Sequence, residues 1–262
     1  MDYAAVTFDY ESRTADLSTG PVDYFVAGDG APVLYLHGRG GLRKTVAQQL
    51  IAERFRLYMP VHPGFDGRPL HDGVASMPAL AALYAEFVDV VIGGRCHVVG
   101  HSLGGWLAEW LAVNHPDRVD ALVLECPAGL RPGGAPSTTV NAEEVQRLLY
   151  CHPEKQPPDD RPAGMDHANR LTAPHYHGGM PLDEALMARL AEIVAPTLLV
   201  MGTEERMIPP ETKEILCRSV PDLRFAWIED AAHGIEVDQP EAFAAVVTGF
   251  LTDPAGFAVP EV

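Results

Sequence analysis

Basic residues are scarce in this chain: 19 Lys and Arg stand against 36 Asp and Glu over 262 residues, a formal charge of −17. Nucleic acid and anionic membrane surfaces are polyanions, so neither is expected as a partner. An acidic small molecule is not excluded, because a pocket can be locally basic. Cysteine is scarce too. Cys96, Cys126, Cys151 and Cys217 are widely spaced and include no CxxC pair, which fits reduced core residues better than a disulfide framework. No apolar run approaches the length that spans a bilayer, and Met1-Asp2-Tyr3-Ala4 lacks the basic-then-apolar pattern of a secretion signal. A cytoplasmic location is expected. Internal repeats and low-complexity tracts are also missing. Apolar residues are not: at 47 % of the chain they suffice for the core of one large domain, with or without an insertion.

Short β-rich runs alternate with helical patterns. The strand candidates are Ala4–Phe8, Val22–Ala27, Val33–His37, Leu57–Val61, His97–Gly100, Ala121–Glu125, Thr197–Gly202 and Arg224–Ile228. Several are Val, Leu and Ile runs without polar alternation, as expected when helices cover both faces of a parallel sheet. Between them lie helix candidates at Lys44–Glu53, Pro78–Val91, Leu103–Asn114, Pro210–Ser219 and Pro240–Leu251. The alternation predicts an α/β protein with a mostly parallel, eight-stranded, doubly wound sheet, its first two strands forming an antiparallel edge. One stretch interrupts it. Residues 131–194 are rich in Pro, Gly and His, show helical patterns only at Ala142–Tyr150 and Leu182–Ile193, and contain no strand pattern. They read as a helical cap inserted after strand 6, with 1–130 and 195–262 as the core. In an open α/β sheet such a cap would roof the ligand site beyond the carboxyl ends of the strands.

The sharpest chemical signal is Gly100-His101-Ser102-Leu103-Gly104, between a strand candidate and a helix candidate. A serine on so tight a turn takes an unfavourable backbone conformation, and its neighbours two residues away must be small; here both are glycine. Serine needs a base, and the base an orienting group. His233 is the best base, in a loop between the last strand and last helix candidates that leaves the same end of the sheet. Two carboxylates compete to orient it: Glu205, just beyond strand 7 and favoured, and Glu125, at the end of strand 6. Glu204 is a poorer third. The oxyanion requires backbone donors. One is the N–H of Leu103; the second is assigned to Arg39, in His37-Gly38-Arg39-Gly40-Gly41 after strand 3. His62-Pro63-Gly64-Phe65 reads as a structural turn, and Trp106 and Trp110 as core. His175-Tyr176-His177 invites a metal reading, but alternate residues do not share a helix face and no ligand set is completed, so no metal is expected. Arg39, Arg43 and Arg170 are expected to be solvated, a basic spot in the pocket being the alternative.

Taken together, these residues resemble the α/β-hydrolase family, in particular its cofactor-free members with a helical cap. The order Ser102, acid, His233 matches the family's chain order, as do His37-Gly38, His62-Pro63-Gly64-Phe65 and the stretch from Gly202 to Pro209. Where the family usually has aspartate, this chain has Glu205; some members draw the acid from the end of strand 6, where Glu125 sits. Relatives that dehalogenate or open epoxides use an aspartate nucleophile, so Ser102 disfavours both reactions. The resemblance implies a serine hydrolase that cleaves a small ester, thioester or lactone through an acyl-enzyme on Ser102, without cofactor or metal. The alternatives are C–C bond hydrolysis of a diketone-like substrate, and a small-ligand receptor that keeps the triad but has negligible turnover. A homodimer stays open.

Overall fold

The computed structural model of the chain describes residues 7–134 and 142–259. Its strands are β1 (Glu11–Leu17), β2 (Gly20–Ala27), β3 (Pro32–Leu36), β4 (Arg56–Pro60), β5 (Cys96–His101), β6 (Val119–Glu125), β7 (Thr197–Gly202) and β8 (Leu223–Ile228). They form one eight-stranded sheet in the order β1-β2-β4-β3-β5-β6-β7-β8. β2 pairs antiparallel with both β1 and β4, and every pairing from β4 to β8 is parallel. The inner strands are buried along nearly their whole length, as their continuous apolar runs require. β1 is different. Only Ala15 and Leu17 are buried, and its other residues face solvent on an edge. The expected first strand at Ala4–Phe8 is therefore corrected: Thr7 and Phe8 are not in a strand, and residues 1–6 lie outside the described residues.

The helices of the core are α1 (Val46–Ala52), α2 (Met77–Phe87) and α3 (Leu103–Asn114). Thr45 starts α1 with a capping box to Gln48, and Ser76 caps α2 through the N–H of Ala79. α2 runs on into a π turn, Val88–Ile92, that stops at Gly93 in the left-handed region. Between β6 and β7 the α-helices among the described residues are short: α4 (Ala142–Leu149), α5 (Met165–Thr172), α6 (Pro174–His177) and α7 (Glu184–Met187). Where one helix is expected over Leu182–Ile193, α7 and a separate 3-10 turn at Leu190–Glu192 are found. α8 (Pro210–Ser219), α9 (Ile235–Asp238) and α10 (Pro240–Thr252) complete the chain, with α10 packed on α1 and α2 packed on α3.

The segment between β6 and β7 is fastened to the core by buried polar groups. Asp183 accepts the indole N–H of both Trp106 and Trp110, at 2.9 and 2.8 Å, and caps α7 through the N–H of Leu186. Tyr176 donates its hydroxyl to the carbonyl of Pro63 at 2.6 Å. Beside the indoles, Glu109 of α3 is fully buried and neither of its carboxyl oxygens has a hydrogen-bond partner among the described residues. Burial, and then the charge of Asp183, hold its pKa well above the ordinary 4.5. The native chain thus keeps a proton that the unfolded chain releases, and stability falls as pH rises above the unfolded value, at up to about 1.4 kcal/mol per unit. Glu109→Gln is expected to raise the melting temperature at pH 8 and change it little at pH 4; equal melting curves at both pH values would contradict this.

Candidate active site

The strand order reverses between β3 and β5, which run side by side while their following segments depart in opposite directions. Ser102 lies at that point, between β5 and α3, with φ 54° and ψ −111°. A non-glycine residue at positive φ is strained, and persists only when its surroundings fix it. Here the Ser102 N–H donates to the carbonyl of Glu125 at 2.9 Å, and its own carbonyl accepts from Gly105, Trp106 and Ala128. The flanking glycines are obligatory. A Cβ on Gly104 would stand 1.9 Å from the carbonyl oxygen of Leu36, and one on Gly100 2.3 Å from that of Gly104.

His233 follows β8 in a loop of small residues and is buried. Its Nδ1 meets Glu205 Oε2 at 2.8 Å. His101 is neutral, because burial lowers its pKa, and its Nε2 donates to the carbonyl of His233 at 3.1 Å; the two rings are 5.0 Å apart. The loop carrying His233 is thereby held against the residue that precedes Ser102. The side chain of Glu205 is buried beside β7, where its other oxygen accepts the N–H groups of Met207 and Ile208. Burial alone would raise its pKa, but the His233 imidazole, the Cys126 thiol and these amides outweigh it and bring the value to about 2. Glu125 is placed elsewhere. It accepts the N–H of Glu236 at 3.1 Å and sits within reach of Glu236 and His101. Glu125 Oε2 and Glu236 Oε2 are buried with no hydrogen-bond partner among the described residues, and the pKa of Glu125 is raised where that of Glu236 is lowered, so the pair retains one proton. Burial, then the charge of Glu236, push Glu125 well above the ordinary range. Glu204 is exposed, beside Arg206.

Leu103 opens α3, where its N–H has no intrahelical acceptor. The loop after β3 closes a turn through Gly41 N–H to Gly38 O, which does not consume the N–H of Arg39. Gly38 lies so near the serine that an added Cβ would be 3.3 Å from Ser102 Cβ. Stacked imidazoles support this loop. His37 Nε2 accepts the N–H of His62 at 3.1 Å and its Nδ1 donates to Gly38 O, while His62 donates from Nε2 to His37 O and from its other nitrogen meets Tyr84. Burial brings His37 down to about 3 and His62 well below its ordinary value, so both stay neutral. From the other side, Arg161 and Asn169 both donate to Gly40 O and to buried Asp66, which accepts the N–H of Leu42. Sequence reasoning finds none of His101, Glu236, Asp66, Arg161 or Asn169, because their partners lie far away in the chain. Arg43 is not solvated as expected; it is paired with Asp159 and Asp166.

Two donor triples lie within 4.8 Å among the described residues, Cys126–Glu205–His233 and His101–Glu125–Glu236. Both are engaged in the hydrogen bonds above. His175 and Tyr176 face the carbonyls of Val74 and Pro63, and His177 stacks on Trp106. A cavity of about 1160 Å³ between α4 and the loops at 203–206 and 229–230 includes neither Ser102 nor His233, so the chemistry, not the volume, locates the site.

A model of the alpha/beta hydrolase family matches residues 33–246. The chain belongs to the alpha/beta hydrolase family. Among curated relatives of this α/β hydrolase, a pimeloyl-acyl-carrier-protein methyl ester esterase of Aeromonas salmonicida is 27 % identical, covering 86 % of this chain and 96 % of the relative. A haloalkane dehalogenase of Mycobacterium tuberculosis is 28 % identical, over 92 % and 94 % of the two chains. The fold is shared with a serine hydrolase involved in carbazole degradation, with a TM-score of 0.76 and 21 % identity over 93 % of this chain and 99 % of that one. The protein is a hydrolase, and no helix among the described residues is long and apolar enough to cross a membrane.

The neutral histidines give a pH signature. Unfolding below pH 6.5 protonates His37 and His62, which the native core leaves uncharged. Stability is therefore lost as pH falls below 6.5, for His37 down to about 3, by up to about 1.4 kcal/mol per unit for each. Denaturant titrations at pH 7 and 5 should show that loss; an unchanged midpoint would contradict it. Gly104→Ala is expected to unfold or displace the Ser102 turn, seen as lost soluble yield or a strongly lowered melting temperature.

Proposed function

We propose that this α/β hydrolase cleaves small esters, thioesters or lactones by acyl transfer to Ser102. The observation that carries the reading is the buried His233–Glu205 pair at 2.8 Å, held beside the Ser102 turn by His101. An imidazole that donates its Nδ1–H to the carboxylate presents Nε2 as the atom that accepts a hydroxyl proton, and the carboxylate stabilises the imidazolium that results. The hydroxyl oxygen then bonds to the substrate carbonyl carbon, and the amides of Leu103 and Arg39 receive the developing oxyanion. The imidazolium, stabilised by Glu205, returns its proton to the leaving alcohol or thiol as the carbon–heteroatom bond breaks. Water, activated by the same imidazole, releases the acid and restores the serine. The helical segment 131–194 serves as a cap over this site. A serine at position 102 argues against dehalogenation, despite the dehalogenase relative. Ester hydrolysis is the activity named for the esterase relative.

A fluorophosphonate probe is expected to label the wild type and not Ser102→Ala; equal labelling would overturn the assignment. On a panel of chromogenic acyl esters, Glu205→Gln should lose roughly 10³–10⁴ in kcat, as when a triad acid is neutralised. Glu125→Gln should lose far less, because its amide still accepts the Glu236 N–H and donates to Glu236 in place of the shared proton. The reverse ranking would make Glu125 the triad acid. Good turnover of a vinylogous keto acid with poor turnover of esters would favour C–C hydrolysis.

A further inference from the structure

Two arginines approach the candidate site from different parts of the chain. Arg39 directly follows Gly38, which lies against Ser102. Arg131 stands three residues after Ala128, whose N–H is bonded to the Ser102 carbonyl at 2.9 Å. Both are half-buried, and Arg131 Nε is buried with no acceptor among the described residues. Neither arginine has an ion-pair partner among the described residues, although acids outnumber bases 36 to 19. Elsewhere the supply is used: Arg43, Arg118, Arg161 and Arg189 each hold a carboxylate. Burial lowers the pKa of both Arg39 and Arg131, and the repulsion of Arg170 on Arg39 and of Arg39 on Arg131 adds to it. The field of Glu205 reaches Arg131, but that carboxylate is already committed to His233, Met207 and Ile208.

A third donor stands beside them. His177 stacks on Trp106 at 5.4 Å, and its Nδ1 accepts the N–H of Gly179 at 3.0 Å, so the ring proton is on Nε2. Burial, then the charges of Arg39 and Arg131, keep this imidazole neutral. Like charges that are partly desolvated and unpaired are unfavourable until an anion arrives, and an arginine fork matches a carboxylate or phosphate in geometry. The overall charge of −17 would otherwise repel such a ligand.

We propose that Arg39 and Arg131, with Arg170 and His177 beside them, form an oxyanion-binding subsite next to the Ser102 turn. It selects esters or thioesters whose acyl chain or leaving group carries a carboxylate or a phosphate. The selection of esters rests on the acyl-transfer reading above; the binding of the anion does not.

Two measurements on the full chain test it. In calorimetry with Ser102→Ala, glutarate or inorganic phosphate should bind with one site per chain and weaken with added NaCl. Adding Arg131→Gln should cut that affinity by at least about tenfold, while Arg131→Lys should retain part of it. In kinetics, the p-nitrophenyl half-ester of glutarate is compared with p-nitrophenyl valerate, and an acyl ester of glycerol 3-phosphate with the same ester of glycerol. A charged member should be preferred in kcat/KM by at least about tenfold, and Arg131→Gln should lower that ratio by a similar factor. Which pair shows the preference distinguishes carboxylate from phosphate. If Arg131→Gln melts below the assay temperature, Arg39→Gln is read in its place. Ester turnover without charge preference and without anion binding overturns the subsite and leaves the acyl-transfer reading intact. Anion binding without turnover of any ester does the reverse.

Discussion

The closest constraint in the molecule is the approach of α3 to the end of β3. Gly104 rests on the Leu36 carbonyl with no room for a single methyl group. That contact fixes where the helix begins, and so where a strained Ser102 must stand. The helix dipole and the free N–H of Leu103 then point at whatever the hydroxyl meets. Because β3 and β5 are neighbours at the strand-order reversal, the loop carrying Gly38 and Arg39 has to arrive at the same place. Much of the remaining polar machinery keeps these two turns still. The His37–His62 stack braces the β3 loop from below, and Arg161, Asn169 and Asp66 clamp Gly40 from the side. The strain at Ser102 is small against the burial that enforces it.

Two glutamates of the site illustrate how environment sets chemistry. Glu205 and Glu125 are both buried at the carboxyl ends of adjacent strands, yet their protonation moves in opposite directions. Glu205 faces an imidazole and two backbone amides, all of which favour the anion. Glu125 faces a second carboxyl, so a proton is retained between them. Only an ionised carboxylate can stabilise an imidazolium, which is why Glu205 carries that role in the proposed mechanism. Glu125 and Glu236 instead make a singly protonated support under His101, which in turn holds the backbone of His233.

The sheet was legible because its inner strands are apolar on both faces; the expected and observed limits of β7 agree, as do those of α3 and α8. β1 was not, because Glu11-Ser12-Arg13-Thr14 is a solvated edge whose pairing with β2, not its own pattern, makes it a strand. α5 has just Met165, Ala168 and Leu171 on a polar background, and it is placed by Asn169 reaching Asp66 across 103 positions. The serine turn and the loop histidine were legible through local chemistry, since the glycines around Ser102 and the small residues before His233 leave a pattern. The choice between the glutamates was not, because it depends on which partner each meets after folding. That neither Arg39 nor Arg131 meets a carboxylate among the described residues is likewise visible only in the folded chain.

Acyl transfer as proposed requires that Ser102 be covalently acylated during turnover. The most direct measurement is acid quenching of the enzyme with an activated ester in the steady state, followed by peptide mass analysis. The acyl mass is expected on the peptide containing Ser102, formed at a rate no slower than turnover and lost in His233→Ala. Turnover without any acyl-peptide, or acylation confined to another residue, would contradict it.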